Sequence, residues 1–295
     1  MSDNNKRVLV LGISGMLGSA LFRAYSGDPD LLTFGTVRNE SDLVYFNPKL
    51  HERIIANIFI ENELNLLSAF SKSRPTVVIN CIGIIKQLPT AHDHIQSIVT
   101  NSLWPHRLAK YCYAFGAKLI HISTDCVFSG KYGRYKEDDL PDASDLYGRT
   151  KLIGEVTYKN TITLRTSIIG HELKHAMSLV DWFLSQKNTV RGFTNAIFSG
   201  LPTTEVARVI KEYVIPYDSL NGLYHLSVDP INKFDLLSLI GHVYGHEIKI
   251  VPDDELKIDR SLDSSRFQMA TGFNPKPWSL MINEMHEQFL LSGQQ

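Results

Sequence analysis

Short apolar runs rich in β-branched residues alternate with helical spacing up to about residue 170 of the chain. Between the first two runs, apolar residues recur every three or four positions from Met16 to Ala24, and Gly27-Asp28-Pro29 ends this predicted helix. Such alternation is typical of βαβ units and predicts a parallel sheet. The predicted strands are Arg7–Leu11, Leu32–Val37, Arg53–Ala56, Thr76–Cys81, Lys118–Ser123 and Thr161–Thr166.

Beyond about residue 170 the alternation of strands and helices is less regular. We predict a first domain at 1–169 and a smaller α/β domain at 170–295, with a segment at about 200–228 returning to the first domain. The downstream predicted helices are His175–Gln186, Thr203–Tyr213 and Asn232–Tyr244, and the downstream predicted strands are Leu223–Ser227 and Ile248–Val251.

Composition and charge narrow the classes of function. The chain has 30 basic and 31 acidic residues, so no field of the whole chain would attract nucleic acid or an anionic membrane. Its first apolar run is too short for a signal peptide or a membrane span, which predicts a soluble cytoplasmic protein. The cysteines Cys81, Cys112 and Cys126 are odd in number and lack metal-ligand spacing, so we expect reduced thiols and no metal site.

A glycine-rich loop joins the first predicted strand to the first predicted helix. It reads Gly12-Ile13-Ser14-Gly15-Met16-Leu17-Gly18, a spacing that permits a tight turn and lets the backbone approach a pyrophosphate. The following helix N-terminus offers N–H groups to the anion. We therefore predict an α/β Rossmann fold with a doubly wound parallel sheet and a dinucleotide site. The predicted cofactor contacts in this loop are Gly12, Ser14, Gly15, Met16, Leu17 and Gly18.

The residue that ends the second predicted strand bears on the choice of cofactor. An NAD-specific site usually has an acidic residue there, on the ribose hydroxyls, whereas this chain has Arg38. A guanidinium suits a 2′-phosphate, so the sequence favours NADP(H). Glu40 lies nearby and keeps NAD(H) open, and Arg38 also fits an exposed strand end without a ligand.

A tyrosine and a lysine four residues apart share one helix face, where they could act together in proton transfer. This pattern occurs three times, beginning at Tyr45, Tyr132 and Tyr147. The first match contains a proline and the second a glycine in a loop, so neither fits a helix. The third match, Tyr147 with Lys151, continues in helical register after a candidate N-cap at Ser144.

The fifth predicted strand ends in Ser123-Thr124-Asp125, at the edge of an open α/β sheet where ligands bind. Thr124 is therefore a candidate for contact with a reacting group. Each residue alone could have a purely structural role, since Thr124 could cap a backbone group and Tyr147 could be an ordinary half-buried tyrosine. Their occurrence together with the glycine loop, in this chain order, favours an active site.

These motifs together resemble the extended short-chain dehydrogenases, and within them the dTDP-4-dehydrorhamnose reductase family. The resemblance covers nearly the whole chain and ends in Arg260–Arg266, Gly272-Phe273 and Pro277-Trp278. The segments that carry it, besides the glycine loop, are Ile79–Gly83, Asn101, Ser123–Phe128 with Gly130, Tyr147–Leu152 with Gly154-Glu155, and Leu164–Ser167.

The resemblance implies reduction of the 4-keto group of a nucleotide-diphosphate-linked 6-deoxyhexose, a step that supplies deoxysugar precursors for polysaccharides. It implies that Tyr147 donates the proton, that Lys151 holds the nicotinamide ribose and lowers the tyrosine pKa, and that Thr124 holds the substrate oxygen. It also implies contacts in two further groups: with the cofactor at Cys81, Ile82 and Gly83, and with the substrate at Thr124, Asp125 and Cys126.

The substrate diphosphate should lie between the two domains, beside Arg191 and Arg260, which are the best-placed downstream basic residues. The glycine loop lacks the glutamine and glutamate frequent in the family, so a metal-linked dimer is not expected, although a homodimer stays open. Asp125 is followed by Cys126 and not by glutamate, which disfavours a dehydratase.

Two other functions remain open at this point. Cys126 and His175 resemble the cysteine and histidine of the epimerising GDP-fucose synthases, although the sequence favours a thiol that fills apolar space and a solvated histidine. A non-catalytic NADP-binding protein is the other alternative, because a regulatory subunit of methionine adenosyltransferase also resembles this family. The intact Thr124, Tyr147 and Lys151 favour the enzyme.

Overall fold

The computed structural model describes residues 6–86, 92–174 and 177–292. The strands in these residues are β1 (Lys6–Leu11), β2 (Leu31–Thr36), β3 (Ile54–Ile55), β4 (Val77–Asn80), β5 (Lys118–Thr124), β6 (Thr161–Thr166), β7 (Ile168–Ile169), β8 (Val190–Phe193), β9 (Ala196–Phe198), β10 (Leu201–Pro202), β11 (Gly222–His225), β12 (Ile231–Asn232), β13 (Ile250–Asp253) and β14 (Ile258–Asp259).

The α-helices alternate with the strands over the first half of the chain. They are α1 (Met16–Ser26), α2 (Glu63–Ser73), α3 (His94–Ser97), α4 (Trp104–Ala114), α5 (Leu146–Ile153), α6 (Leu179–Ser185), α7 (Thr203–Tyr213), α8 (Lys233–Tyr244), α9 (Ser265–Thr271) and α10 (Trp278–Leu291). A π-helical turn, Ile98–Leu103, runs directly into α4.

A seven-stranded parallel sheet has the order β11-β6-β5-β4-β1-β2-β3. Its two faces are both covered, as alternate residues of β1 show. Val8 and Val10 pack with α1 and α7 in one buried cluster, and Leu9 and Leu11 pack with α2 and α4 in another. The strand order reverses at β1, which opens a crevice at the carboxyl ends of β1 and β4. The predicted doubly wound Rossmann fold is confirmed.

The downstream residues form a smaller unit with its own buried cluster. Helices α6, α8 and α10 contribute Phe183, Leu237 and Ile282 to this cluster, together with Val190 of β8. Short sheets flank it, in which β8 pairs with β13 and β9 pairs with β12 and β14. In the parts of the chain that the structure describes, no helix is long and apolar enough to cross a membrane.

Most predicted elements agree with the structure, and two differences have physical causes. The helix expected from His175 begins at Leu179, because Ser178 caps it by accepting from the Asp181 N–H at 3.1 Å. The predicted strand Arg53–Ala56 shortens to β3, since it is an edge strand held by one neighbour. The predicted downstream strand Leu223–Ser227 corresponds to β11, which pairs with β6 in the large sheet.

Candidate active site

A cavity of about 910 Å³ lies at the carboxyl ends of the central strands, between the large sheet and the smaller unit. Segments far apart in sequence meet around it, as expected for an open α/β sheet. The predicted site residues in its lining are Ser14, Gly15, Met16, Leu17, Cys81, Ile82, Gly83, Thr124, Asp125, Cys126, Tyr147 and Lys151.

The glycine loop forms one wall of this cavity. Gly12 has φ +80°, which favours glycine, and a Cβ there would lie 2.9 Å from Ile82 Cγ1. A Cβ on Gly18 would overlap the Gly12 carbonyl oxygen. The loop therefore packs closely against the start of α1 and the turn after β4, and both contacts require glycine. This packing leaves Gly15 and the first turn of α1 open to the cavity, with N–H groups that have no acceptor within the helix. The arrangement fits a pyrophosphate.

Buried amides fix the turn that follows β4. Asn80 Oδ1 accepts from the Ile82 N–H at 3.3 Å and from Trp104 Nε1 at 3.2 Å. Asn101, on the π-helical turn, bonds Ile84 in both directions, at 2.9 Å from the N–H and 3.0 Å to the carbonyl. This segment therefore has a defined position along the cavity, and the role of Asn101 is to position backbone.

Tyr147 and Lys151 lie on α5, as predicted. The helix is capped by Asp145, whose carboxylate accepts from the Gly148 N–H at 2.9 Å, and not by the expected Ser144. The two competing matches lie elsewhere: Tyr45 ends a 3₁₀ helix, and Tyr132 is 71% exposed in a loop.

Gly148 explains how α5 approaches the strand that carries Thr124. A Cβ at this position would lie less than 3.0 Å from the Cys126 carbonyl oxygen and 2.6 Å from the Ala143 Cβ. A glycine inside the helix is therefore required by a close backbone approach, which offsets its helix penalty of about 1 kcal/mol.

Tyr147 and Thr124 line the same cavity. Burial raises the pKa of Tyr147, Cys126 adds to this rise and the Thr124 hydroxyl acts to lower it, so the phenol is protonated at neutral pH. Lys151 is not among the groups that shift the pKa of Tyr147, so the predicted lowering by Lys151 is not observed. Burial lowers the pKa of Lys151 to about 8, and its ammonium donates to the Ile122 carbonyl at 2.7 Å.

Cys126 lies beside the candidate catalytic pair. Burial raises the pKa of its thiol to about 11, and the Asp125 carboxylate adds to the rise. The thiol is therefore neutral at pH 7. Proton exchange at a sugar carbon, as in an epimerase, would instead favour a thiol with a lowered pKa. Its proposed partner His175 lies outside the described residues.

None of the three predicted arginines belongs to the cavity lining, and they differ in their surroundings. Arg260 is adjacent to it, with Nε donating to the Phe128 carbonyl at 2.8 Å and a terminal nitrogen 3.8 Å from Cys126 Sγ. Arg38 is exposed at the end of β2, and its guanidinium carbon lies 5.7 Å from the Phe59 ring centroid.

Arg191 is outside the cavity lining and its side chain is 60% exposed. It forms ion pairs with Asp253 and, at 2.7 Å, with Glu255. These carboxylates from β13 and the loop after it satisfy its charge, so its position gives no support to the predicted contact with a substrate diphosphate.

Several cavity residues were missed by the sequence reasoning. Lys86 pairs with Asp145 at 3.0 Å and lies 5.5 Å from the Tyr147 ring centroid. Lys233 begins α8, and its only sequence signal is the predicted helix start beside it. The missed lining residues with charged or aromatic side chains are Lys86, Glu172, Lys174, Trp182, Phe198 and Lys233. In the described ranges, no cluster of histidine, cysteine and acidic residues could hold a metal ion.

Comparisons with known proteins agree with this architecture. Residues 6–291 match the model of the RmlD substrate binding domain family. The spore coat polysaccharide biosynthesis protein SpsK of Bacillus subtilis is 28% identical over 240 residues, covering 76% of this chain and 83% of SpsK. The methionine adenosyltransferase 2 subunit beta of Xenopus tropicalis is 28% identical over 309 residues, covering 94% of this chain and 80% of that protein.

Among solved structures, the dTDP-4-dehydrorhamnose reductase of Bacillus anthracis in complex with NADP superposes with a TM-score of 0.78. The two sequences are 20% identical, and the superposition covers 96% of this chain and 99% of the reductase, so this likeness supports the fold. With a family match over almost the whole chain, the predicted resemblance is confirmed. The chain belongs to the RmlD substrate-binding-domain family of extended short-chain dehydrogenases, the group that contains the dTDP-4-dehydrorhamnose reductases.

Proposed function

We propose that the chain is an NADP(H)-dependent reductase that converts the 4-keto group of a nucleotide-diphosphate-linked 6-deoxyhexose into a hydroxyl. One observation carries the proposal: the glycine loop, Thr124 and the Tyr147–Lys151 helix face a single cavity at the carboxyl edge of the sheet. A dinucleotide wall and a proton donor in one cavity match a carbonyl reduction.

The protein groups along the glycine-loop wall suit a dinucleotide. Gly15 and the first turn of α1 would bind the pyrophosphate, and Cys81–Gly83 would lie along the nicotinamide half. Arg38 would bind a 2′-phosphate, which favours NADP(H), with NAD(H) as the alternative. A nicotinamide cofactor held by these residues would supply the hydride for the carbonyl carbon.

The chain's own residues supply the proton. Tyr147 donates its hydroxyl proton to the carbonyl oxygen, and its raised pKa keeps that proton available at neutral pH. Thr124 holds the same oxygen through its hydroxyl. Lys151 would hold the nicotinamide ribose, and its charge would favour the tyrosinate left after proton transfer. The hydride and the proton together convert C=O into CH–OH.

The substrate would enter from the side of the smaller unit, past Asp125 and Cys126. Arg260, adjacent to this end of the cavity, is the better supported of the two proposed diphosphate contacts, whereas Arg191 is occupied by its carboxylate partners. A role in polysaccharide precursor synthesis accords with the name of the relative SpsK. We place the activity in the cytoplasm.

A second candidate function is that of a non-catalytic regulatory subunit. The similarity to methionine adenosyltransferase 2 subunit beta over 94% of this chain supports it. Such a protein could keep the dinucleotide wall without turning over a substrate. The convergence of Thr124, Tyr147 and Lys151 on the cavity favours the reductase.

Oxidation of NADPH in the presence of a panel of nucleotide 4-keto-6-deoxyhexoses (dTDP-, GDP- and UDP-linked) separates the two functions. The reductase proposal expects turnover with at least one panel member, above the background of NADPH alone. Tight NADPH binding without oxidation by any member would overturn it in favour of the regulatory subunit.

A further inference from the structure

Lys233 is the first residue of α8 and lines the cavity from the smaller unit. The helix start is fixed by Asn232, whose side chain accepts from the Asp235 N–H at 2.8 Å. Thr124 and Tyr147 reach the same cavity from the large sheet. Lys233 therefore lies in the same cavity as these two residues, on the side formed by the smaller unit.

Lys233 is partly buried, and its ammonium lies beside an aromatic ring. It is 4.0 Å from the centroid of the Phe198 ring, a cation–π contact. Burial lowers its pKa to about 8, while the nearby Asp125 and Cys126 act in the opposite direction, so the group is mostly charged at pH 7. Over the described ranges the ammonium donates no hydrogen bond to protein and forms no ion pair.

This distinguishes Lys233 from the other lysines around the cavity. Lys86 is paired with Asp145, and Lys174 is paired with Asp42. An ammonium has three donors and no acceptor, and a partly desolvated donor without a partner costs free energy. An acceptor brought by a ligand would remove that cost, so the geometry directs Lys233 at the substrate.

The charges nearby indicate which part of the substrate it contacts. The Asp125 carboxylate lies close enough to Lys233 to act on its charge, so a diphosphate placed against Lys233 would also face this carboxylate. A sugar hydroxyl or ring oxygen accepts a hydrogen bond from an ammonium without adding negative charge. Next to a carboxylate, a neutral sugar oxygen is the better fit.

We propose that Lys233 is a sugar-recognition residue, whose ammonium donates a hydrogen bond to an oxygen of the substrate hexose and so orients its carbonyl toward Tyr147. The inference rests on the proposed function for the identity of the substrate class. It assigns sugar selection to the start of α8, and diphosphate binding to other residues.

The test compares each nucleotide diphosphate with its sugar conjugate, using the pairs dTDP with dTDP-rhamnose and UDP with UDP-glucose. Affinities are measured by calorimetry with NADP⁺ present, for the wild type, Lys233→Met, Lys233→Arg and Lys187→Met. Lys187 is an exposed lysine of the same unit and serves as the matched control. Thermal unfolding shows that each variant is folded.

In at least one pair, we expect the sugar to strengthen binding to the wild type. Lys233→Met should then weaken binding of the sugar conjugate by roughly 10- to 100-fold, the usual effect of losing a hydrogen bond from a charged group. The affinity for the free diphosphate should stay within about 2-fold of the wild-type value. Lys233→Arg should recover part of the loss, and Lys187→Met should match the wild type.

Equal weakening of diphosphate and conjugate would overturn the proposal, because Lys233 would then bind phosphate. No change in either, or no sugar contribution in any pair, would overturn it as well. NADPH turnover is a separate readout. If the wild type turns over but Lys233→Met binds the sugar conjugate normally, only the role of Lys233 is refuted. If Lys233→Met selectively loses affinity for the conjugate but the wild type shows no turnover, only the reductase proposal is refuted.

Discussion

Replacing Gly148 with alanine tests whether the close approach of α5 to Cys126 sets the active-site geometry. The added methyl would lie 2.6 Å from the Ala143 Cβ and less than 3.0 Å from the Cys126 carbonyl oxygen, whereas ordinary contact begins near 3.4 Å. Relief needs a displacement of α5 by about 1 Å. Because Tyr147 precedes Gly148 directly, its hydroxyl would move with the helix, and a misplacement of that size costs about 10²-fold in rate.

The stability of the same variant should change much less than its turnover. Overpacking costs about 1–3 kcal/mol, and alanine regains about 1 kcal/mol of helix propensity, so we expect a net loss of about 0–2 kcal/mol. Urea unfolding measures the stability, and NADPH oxidation with the best keto-sugar measures kcat.

Gly27→Ala is the matched control, because a Cβ at Gly27 meets nothing within 4 Å and its φ of −95° suits alanine. This variant should keep wild-type turnover. If Gly148→Ala also turns over at more than half the wild-type rate, the packing of α5 does not control the position of Tyr147 and the reasoning is refuted.

Three further outcomes follow from the site. Arg38→Asp should reverse the preference of NADPH over NADH in dissociation constants, and an unchanged ratio would contradict the 2′-phosphate contact. Arg260→Met should raise the substrate KM and leave NADPH affinity alone, whereas Arg191→Met should change neither quantity. If the substrate KM rises equally in the two variants, Arg191 also binds the substrate. Since the Lys151 ammonium is lost as the pH rises through about 8, NADPH affinity should fall above that pH in the wild type and stay flat in Lys151→Met, as fluorescence titration can show.

The sequence predicted those parts of the fold that local patterns encode. The strand Thr161–Thr166 and the helix Thr203–Tyr213 agree with the structure to the residue, because both are bounded by strong changes in periodicity. The proline in the Tyr45 match and the glycine in the Tyr132 match are also local signals, because each makes a helix unfavourable at its own position. Helix assignment therefore identified the tyrosine helix without knowledge of tertiary contacts.

Contacts between distant segments were beyond such patterns. Arg191 looks available in the sequence, but β13 brings Asp253 beside it from about 60 positions further along. Lys233 looks like an ordinary polar residue at a helix start, and only the packing of the smaller unit against the sheet places it in the cavity. The raised pKa of Tyr147 likewise depends on burial that no spacing reveals.

The most direct test of the reductase is the turnover of Tyr147→Phe, which keeps the ring and deletes only the hydroxyl. We expect folding and NADPH affinity to survive while kcat falls by roughly 10²- to 10⁴-fold, the usual contribution of a positioned acid. Tyr132→Phe, at an exposed loop tyrosine with the same sequence pattern, should keep full activity. Loss of turnover in the Tyr132 variant with retention in the Tyr147 variant would contradict the assignment of the active site.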